Sequence, residues 1–312
     1  MSVTEKMKKL YRFLSDRDYR FVVSVGMGWK GHVSAEKFLK RLYRIRMGRE
    51  LDLDDPRTYT EKLQWLKLYD HRPEYTTMVD KYAVKEYVAE KIGPEYVIPL
   101  LGVWDRAEDI DFDVLPDRFV LKTTHDSGSY VVCKDKSKLD IPAARKRMAH
   151  FLKRKYYDCN REWPYKNVKP RIIAEAYVED TATQELRDYK FFTFGGEPKV
   201  LYIAQGRGNG APTVADFFDM EFNHLPFTID HDMAPELPEK PVCFEEMKRL
   251  AAILSQGTPQ LRVDFYEVDG KVYFGEMTFF HCTGMEAFHP EQWDQTFGDW
   301  VVLPERNGED LP

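Results

Sequence analysis

The stretch that most limits what this chain can fold into is residues 261–279, reading LRVDFYEVDGKVYFGEMTF. Asp269-Gly270 lies between two runs of β-formers, a strong short-range signal for a hairpin. Leu261, Val263 and Phe265 alternate with Arg262, Asp264 and Tyr266, so the first strand has one apolar face and one charged face. The second strand sets Glu276 and Thr278 on a single face. Half-burying two acids and an arginine is costly unless something pairs with them. A divalent cation bridging phosphates is such a partner, because hard cations take carboxylate and phosphate oxygens together. Register decides whether the acids can cooperate. A plain two-residue loop pairs Asp264 with Gly275 and turns Glu276 to the opposite face. A three-residue loop ending in left-handed glycine, or a bulge, shifts the parity and brings both carboxylates to one face. The shifted register is the expectation.

With 312 residues, 43% of them hydrophobic and 14% aromatic, the chain can bury a large core and divide into two or three subdomains. No apolar run is long enough to span a bilayer, and the N-terminus lacks the apolar centre of a signal peptide. Cys133, Cys159, Cys243 and Cys282 have no paired spacing, so neither a zinc knuckle nor a disulfide framework is expected. The expected location is cytoplasmic. Residues 1–50 hold 13 Lys and Arg against 5 Asp and Glu, although the whole chain carries −6. A basic arm on an acidic body suggests an anionic partner, such as a phospholipid surface or a lipid-pyrophosphate-linked glycan; a solvated helix face balancing the body is the alternative. Nothing points to nucleic acid.

Ser34 is placed to cap a helix running to Met47 and closed by Gly48. Thr58 to Glu61 reads as a capping box opening a helix through Tyr69. The first 75 residues are therefore expected to be helical and basic. Asp80 is expected to cap a third helix ending near Ile92, with Lys81 at its first position. A cation there opposes the helix dipole unless an anion shares the site; an exposed lysine is the alternative. The strand Phe119 to Lys122 runs into Thr-Thr-His-Asp-Ser-Gly-Ser and then Tyr130 to Cys133. This is a hairpin flap whose backbone N–H groups can cover phosphates, or else a polar hairpin tip with a solvated lysine. His125 is expected to be a hydrogen-bonding loop residue.

Residues 141–157 read as a basic amphipathic helix. Arg171 to Val178 is a buried strand holding one acid, Glu175, which needs a donor; a purine amine would serve, and an edge-strand position is the alternative. Asp188 to Phe194 alternates, putting Asp188 and Lys190 on one face with Phe192 and Phe194, before Gly195-Gly196 turns the chain. Residues 205–240, rich in Gly and Pro, are a candidate lid or acceptor-binding loop. Phe244 to Gln256 is a helix closed by Gly257.

Lys81, Lys122 with its small-residue loop, Glu175-Ala-Tyr-Val178, Asp188, and Arg262 with Asp264, Glu276 and Thr278 fall in the order and spacing of an ATP-grasp nucleotide site. The chain resembles most the TupA-like branch of ATP-grasp proteins, associated with bacterial surface-polysaccharide biosynthesis, over roughly residues 50–303. The resemblance implies an α+β fold in which two subdomains clasp ATP behind a mostly helical N-terminal region. It divides the chain into a helical part (1–75), a linker and start of the core (76–117), a small subdomain with the flap (118–178) and a large subdomain with the hairpin (179–312).

By the same resemblance, Lys81 and Lys122 hold the α- and β-phosphates, while Asp126, Ser127, Gly128 and Ser129 form the flap. Glu175 approaches the adenine amine, the backbone of Tyr177 and Val178 reads the base edge, and Asp188 takes the ribose hydroxyls. Asp264 and Glu276 hold magnesium, as two ions, and Arg262 stabilises the transferring phosphoryl group. Thr278 stands where most ATP-grasp ligases have asparagine, and its hydroxyl can still ligate magnesium or a bound water. Lys190 and Arg207 are the candidates to face an acceptor carboxylate. His224, His231, His281 and His289 are candidates to deprotonate an amine. The implied activity is a carboxylate–amine ligase acting through an acyl phosphate on a small-molecule or lipid-linked glycan; a glycan kinase and a non-catalytic, nucleotide-binding partner of a glycosyltransferase are the alternatives.

Overall fold

The computed structural model describes residues 3–29, 32–181, 186–206 and 213–306. The N-terminal part is helical, as expected: α1 (Val3–Ser15), α2 (Arg17–Gly26), α3 (Ala35–Met47), α4 (Tyr59–Tyr69), α5 (Pro73–Val79) and α6 (Ala83–Ile92). Gly48 closes α3 at φ 71°, a left-handed value that costs glycine little. Ser34 occupies the N-cap of α3, although its side chain makes no capping hydrogen bond. The capping box is present in full: Glu61 accepts from the Thr58 N–H at 3.0 Å, and the Thr58 hydroxyl accepts from the Glu61 N–H.

Local signals misplaced the next helix start. Asp80 ends α5, and its carboxylate accepts from the N–H groups of Tyr82 (2.9 Å) and Ala83, so α6 opens at Ala83 and Lys81 sits in the preceding turn.

Two antiparallel sheets follow among the described residues. The small one, in order β1-β4-β2-β3, combines β1 (Leu100–Trp104), β2 (Phe119–Thr123), β3 (Tyr130–Cys133) and β4 (Ile172–Ala176). The small subdomain therefore starts before residue 118, because β1 pairs with β4. Its separate core, including Phe119, Leu121, Met148 and Ile172, is covered by α7 (Ile141–Phe151). The helix expected over 141–157 breaks after α7 and resumes as α8 (Tyr156–Asn160). Between them Arg154 reaches back to the flap, where its guanidinium donates to Asp126 (3.1 Å) and Ser129 (2.7 Å).

The large sheet, in order β10-β9-β5-β6-β7-β8, contains β5 (Asp188–Phe194), β6 (Glu197–Gln205), β7 (Val214–Phe218), β8 (His224–Leu225), β9 (Gln260–Val268) and β10 (Lys271–Thr278). The stretch expected to be a lid thus supplies two strands that extend the sheet. Alternation along β5 sends its rings to two sides of the sheet. Phe191 meets α9 (Phe244–Leu254) through Phe244, with ring centroids 5.9 Å apart. Phe192 and Phe194 meet Phe297 of α10 (Gln292–Trp300) at 5.8 and 5.6 Å. Tyr59 of α4 packs on that same ring at 5.4 Å. The helical region thus covers the face of β5 that also carries Asp188 and Lys190.

The hairpin shows how the register is set. Val268 pairs with Lys271, so the loop is the plain two-residue turn, with Asp269 at φ 50° and Gly270 at φ 71°. A bulge at Gly275 then shifts the ladder, and Glu276 pairs directly with Asp264 and Thr278 with Arg262. All four face the same way. A Cβ at Gly275 would stand 3.0 Å from the Asp264 carbonyl oxygen and 3.3 Å from the Tyr266 ring. Gly275→Val is expected to destabilise the fold by about 1–3 kcal/mol, read as a lower urea midpoint at unchanged slope. A wild-type midpoint would show that the bulge tolerates a side chain.

Candidate active site

The two sheets face each other across a cleft of about 270 Å³. Each wall is built from strands whose alternation points charge inward. From the small sheet, Lys122 of β2 and Glu175 of β4 point into it, beside the flap residues Ser127, Gly128 and Ser129. From the large sheet come Asp188 and Lys190 of β5, Asp264 of β9 and Glu276 of β10. Lys81 and Lys85 enter from the turn and first helical residues of α6.

At the hairpin, one guanidinium gathers the acids. Arg262 donates to both oxygens of Asp264 (2.7 and 2.8 Å), to Glu276 (2.9 Å), to the Thr278 hydroxyl (3.0 Å) and to His281 Nδ1 (2.6 Å). Asp264 also pairs with Lys190 at 2.7 Å. Burial works against the charge of Asp264, but Arg262 and Lys190 outweigh it and hold the carboxyl at about 2. His281 is driven below its ordinary value, first by burial and then by the neighbouring Arg262, so it stays neutral. Because Nδ1 accepts a hydrogen bond from arginine, the ring proton resides on Nε2. His281 therefore ranks above His224, His231 and His289 as the histidine nearest the site. Its Nδ1 is already occupied by the Arg262 guanidinium.

Several expected roles need correction. Glu175 has its donors already: Lys85 and Lys122 each pair with it at 2.5 Å, and despite burial they hold its carboxyl at about 2. No purine amine is required to satisfy it. Tyr177 and Val178 lie past the end of β4 and do not line the cleft; the Tyr177 hydroxyl donates to Glu179 (2.7 Å), which Arg118 and Lys134 anchor from outside. Asp126 is turned into its own loop, accepting from Thr123 (2.5 Å), Ser129 and Arg154, so it holds the flap's shape and leaves Ser127, Gly128 and Ser129 to face the cleft. Lys190 lines this cleft with its ammonium already paired to Asp188 (3.0 Å) and Asp264 (2.7 Å). Arg207 lies outside the described residues. His125 is a loop histidine as expected, its Nε2 3.1 Å from the Arg154 carbonyl. Lys81 donates to the Asp126 carbonyl, tying the flap to α6, and burial lowers its pKa.

A second cleft of about 360 Å³ adjoins the first, and Ser127, Tyr165 and Glu276 line both. Arg46 of α3, Arg262 and Glu162 also line it. Sequence reasoning missed Lys85, although its spacing four residues after Lys81 puts both on one side of a helix start. It also missed Arg46 and Glu162, whose neighbours in sequence carry no signal.

The TupA-like ATPgrasp family matches residues 61–302. The chain belongs to that family. No curated protein matches it closely enough to count as a relative. Among solved structures it is similar to the D-alanine–D-alanine ligase of Bacillus anthracis complexed with ATP, at 14% identity and a TM-score of 0.45, covering 72% of this chain and 64% of that one. The Helicobacter pylori D-alanine–D-alanine ligase gives 12%, 0.43, 78% and 69%. The N5-carboxyaminoimidazole synthase of Aspergillus clavatus gives 10%, 0.37, 65% and 44%. The chain thus spans less than two thirds of the first of these, and likeness at this level carries no argument about activity.

Within the TupA-like ATPgrasp fold, the oxygens of Asp264, Glu276 and Thr278 form a hard donor set on one face, which fits magnesium. The acids also set an acid limit on stability. Glu175 titrates at about 2 when folded against an ordinary 4.5, and Asp264 at about 2 against 3.8. Depressed carboxylates stabilise above their unfolded pKa and lose that contribution as pH falls through the folded one. Stability is therefore expected to fall steeply from about pH 4.5 to 2. Glu175→Gln should flatten the part that Glu175 supplies, and urea midpoints against pH check this; an unchanged slope would contradict it.

Proposed function

We propose that this protein is an ATP- and magnesium-dependent carboxylate–amine ligase. It forms an amide through an acyl phosphate on a uronic-acid-containing or peptide-like precursor of a bacterial surface polysaccharide. The observation that carries the reading is the position of Glu276. It pairs with Asp264 on one face of the hairpin and lines both adjoining clefts. A terminal phosphate held by the hairpin in the first cleft would meet an acceptor lying in the second.

The chain's residues divide the work. Lys81, Lys122 and the flap N–H groups of Ser127, Gly128 and Ser129 hold the phosphates, and Lys85 joins them through Glu175. Asp188 takes the ribose, while Lys190 fixes Asp188 relative to Asp264. Asp264, Glu276 and Thr278 hold magnesium, which neutralises phosphate charge when bound. Arg262 stabilises charge on the transferring phosphoryl group. Arg46 has no ion-pair partner among the described residues and projects into the second cleft. A guanidinium there suits an anionic acceptor, which favours a carboxylate over the hydroxyl that a kinase would use.

The glycan acceptor follows from the family resemblance. Support for a lipid-linked one comes from α1. Met7, Leu10, Tyr11 and Leu14 form an apolar stripe, each at least 60% exposed, flanked by Lys8, Lys9 and Arg12. Such a helix suits the surface of an anionic membrane on the cytoplasmic side, and no helix among the described residues is long and apolar enough to cross one. The protein should co-sediment with phosphatidylserine-containing vesicles at low salt, and Leu10→Glu with Leu14→Glu should release it. Equal sedimentation of that variant would contradict the α1 contact.

Phosphate release from magnesium-ATP, measured with uronic acids crossed with primary amines, should require both substrates. Glu276→Gln should lower that rate by at least about 100-fold with an unchanged melting temperature. Release that needs no amine would favour the kinase, and ATP binding without turnover would favour the non-catalytic partner.

A further inference from the structure

The second cleft holds a built ionisable assembly that the nucleotide site does not use. Glu162 lines it, yet is only 3% exposed. Behind it lies Lys67 of α4, 2% exposed, whose ammonium donates to the Thr283 carbonyl (2.7 Å) and hydroxyl (2.8 Å). Thr283 lines the same cleft as Glu162, so the buried lysine is anchored to a residue of the cleft wall.

The backbone around this group is strained. Thr283 and its neighbour Cys282 have φ of 54° and 47°, and Arg161, next to Glu162, has 56°. These are left-handed values that β-branched and bulky side chains avoid. Each is held by its surroundings. Arg161 donates to the carbonyls of Asp158 (2.8 Å) and Val33 (3.2 Å) and stacks on Phe38. Conformational strain of this kind gathers where side-chain placement matters more than local stability.

Resting on the ligase reading, we propose that the second cleft binds a primary amine, and that Glu162 receives the proton of its ammonium form. Burial raises the carboxyl of Glu162 and lowers the ammonium of Lys67, bringing the two towards each other. The other titratable groups lining the cleft with Glu162 are Arg46 from α3, Arg262 from β9, Glu276 from β10, Tyr156 from α8, Tyr165 from the turn that follows, and Cys282 and Glu286 from the segment after β10. The two guanidiniums favour its ionised form. With acids and guanidiniums both present, the cleft suits one cationic and one anionic substrate group at once.

In the step itself, an ammonium N–H bond breaks and its proton moves to a Glu162 oxygen. The freed nitrogen pair forms the C–N bond to the acyl phosphate carbon. The C–O bond to phosphate then breaks, and inorganic phosphate leaves with the second proton lost by nitrogen. Glu162 returns its proton to water.

The test compares two nucleophiles. Ethanolamine is protonated at neutral pH and needs a base, whereas hydroxylamine is already uncharged and does not. If no uronic acid gives phosphate release from magnesium-ATP with either nucleophile in the wild type, the ligase reading falls and this proposal with it. If release occurs, Glu162→Gln should keep hydroxamate formation within about threefold of wild type and lose amide formation with ethanolamine by about 100-fold or more. The acid limb of the ethanolamine pH profile should vanish, and Glu162→Asp should restore part of it. Equal loss with both nucleophiles, whatever the melting temperature, or no loss with either, overturns the role of Glu162 and leaves the ligase reading standing.

Discussion

The site depends on one guanidinium, that of Arg262, and on the bulge that lets it reach its partners. Without the extra residue at Gly275, Glu276 would leave the face that Asp264 and Arg262 occupy. With it, five hydrogen bonds join β9, β10 and the segment after β10 around a single buried cation. Burying such charges is costly, and removing one partner would leave the others uncompensated. That cost is a reason to regard the cluster as a preorganised site: its oxygens are already gathered before any ligand arrives.

The same logic extends outward from the hairpin. Lys190 links Asp264 to Asp188 on β5, and across the cleft Glu175 and Lys122 of the small sheet are joined by Lys85 of α6. Positive and negative groups therefore alternate around the first cleft, with the flap tied down by Lys81 and Arg154. The helical N-terminal region does more than cover the large sheet. It sends Lys81 and Lys85 into the first cleft, Arg46 into the second, and Lys67 behind the wall of the second. The helices thus contribute to both clefts, beside the strands and the flap.

What the sequence revealed was governed by short-range chemistry. The Asp-Gly turn, the capping box at Thr58, the left-handed closure at Gly48 and the alternation of β5 each depend on residues within one or two turns of each other, and each is present. The shift of register was also legible, because only a parity change could reconcile the two acids with one face, although the device proved to be a bulge and not a longer loop. Partner identity was not legible. Glu175 needed a donor, and the donors came from α6 and β2. Asp126 resembled a phosphate-facing residue until Arg154 and Ser129 claimed it. Lys190 shares a face of β5 with Asp188, but its second partner, Asp264, comes from β9. The partners from other elements, Lys85 and Lys122 for Glu175, Arg154 for Asp126 and Asp264 for Lys190, leave no trace in the local pattern.

The central claim is that Asp264 and Glu276 together hold the metal that accompanies ATP, with Arg262 beside them. A crystal structure with magnesium and a non-hydrolysable ATP analogue tests it most directly. The account predicts magnesium about 2.0–2.1 Å from oxygens of both carboxylates, the phosphates beneath Ser127, Gly128 and Ser129, and the terminal phosphate facing the second cleft. Nucleotide bound with its metal away from Asp264 and Glu276, or phosphates directed away from the flap, would contradict it.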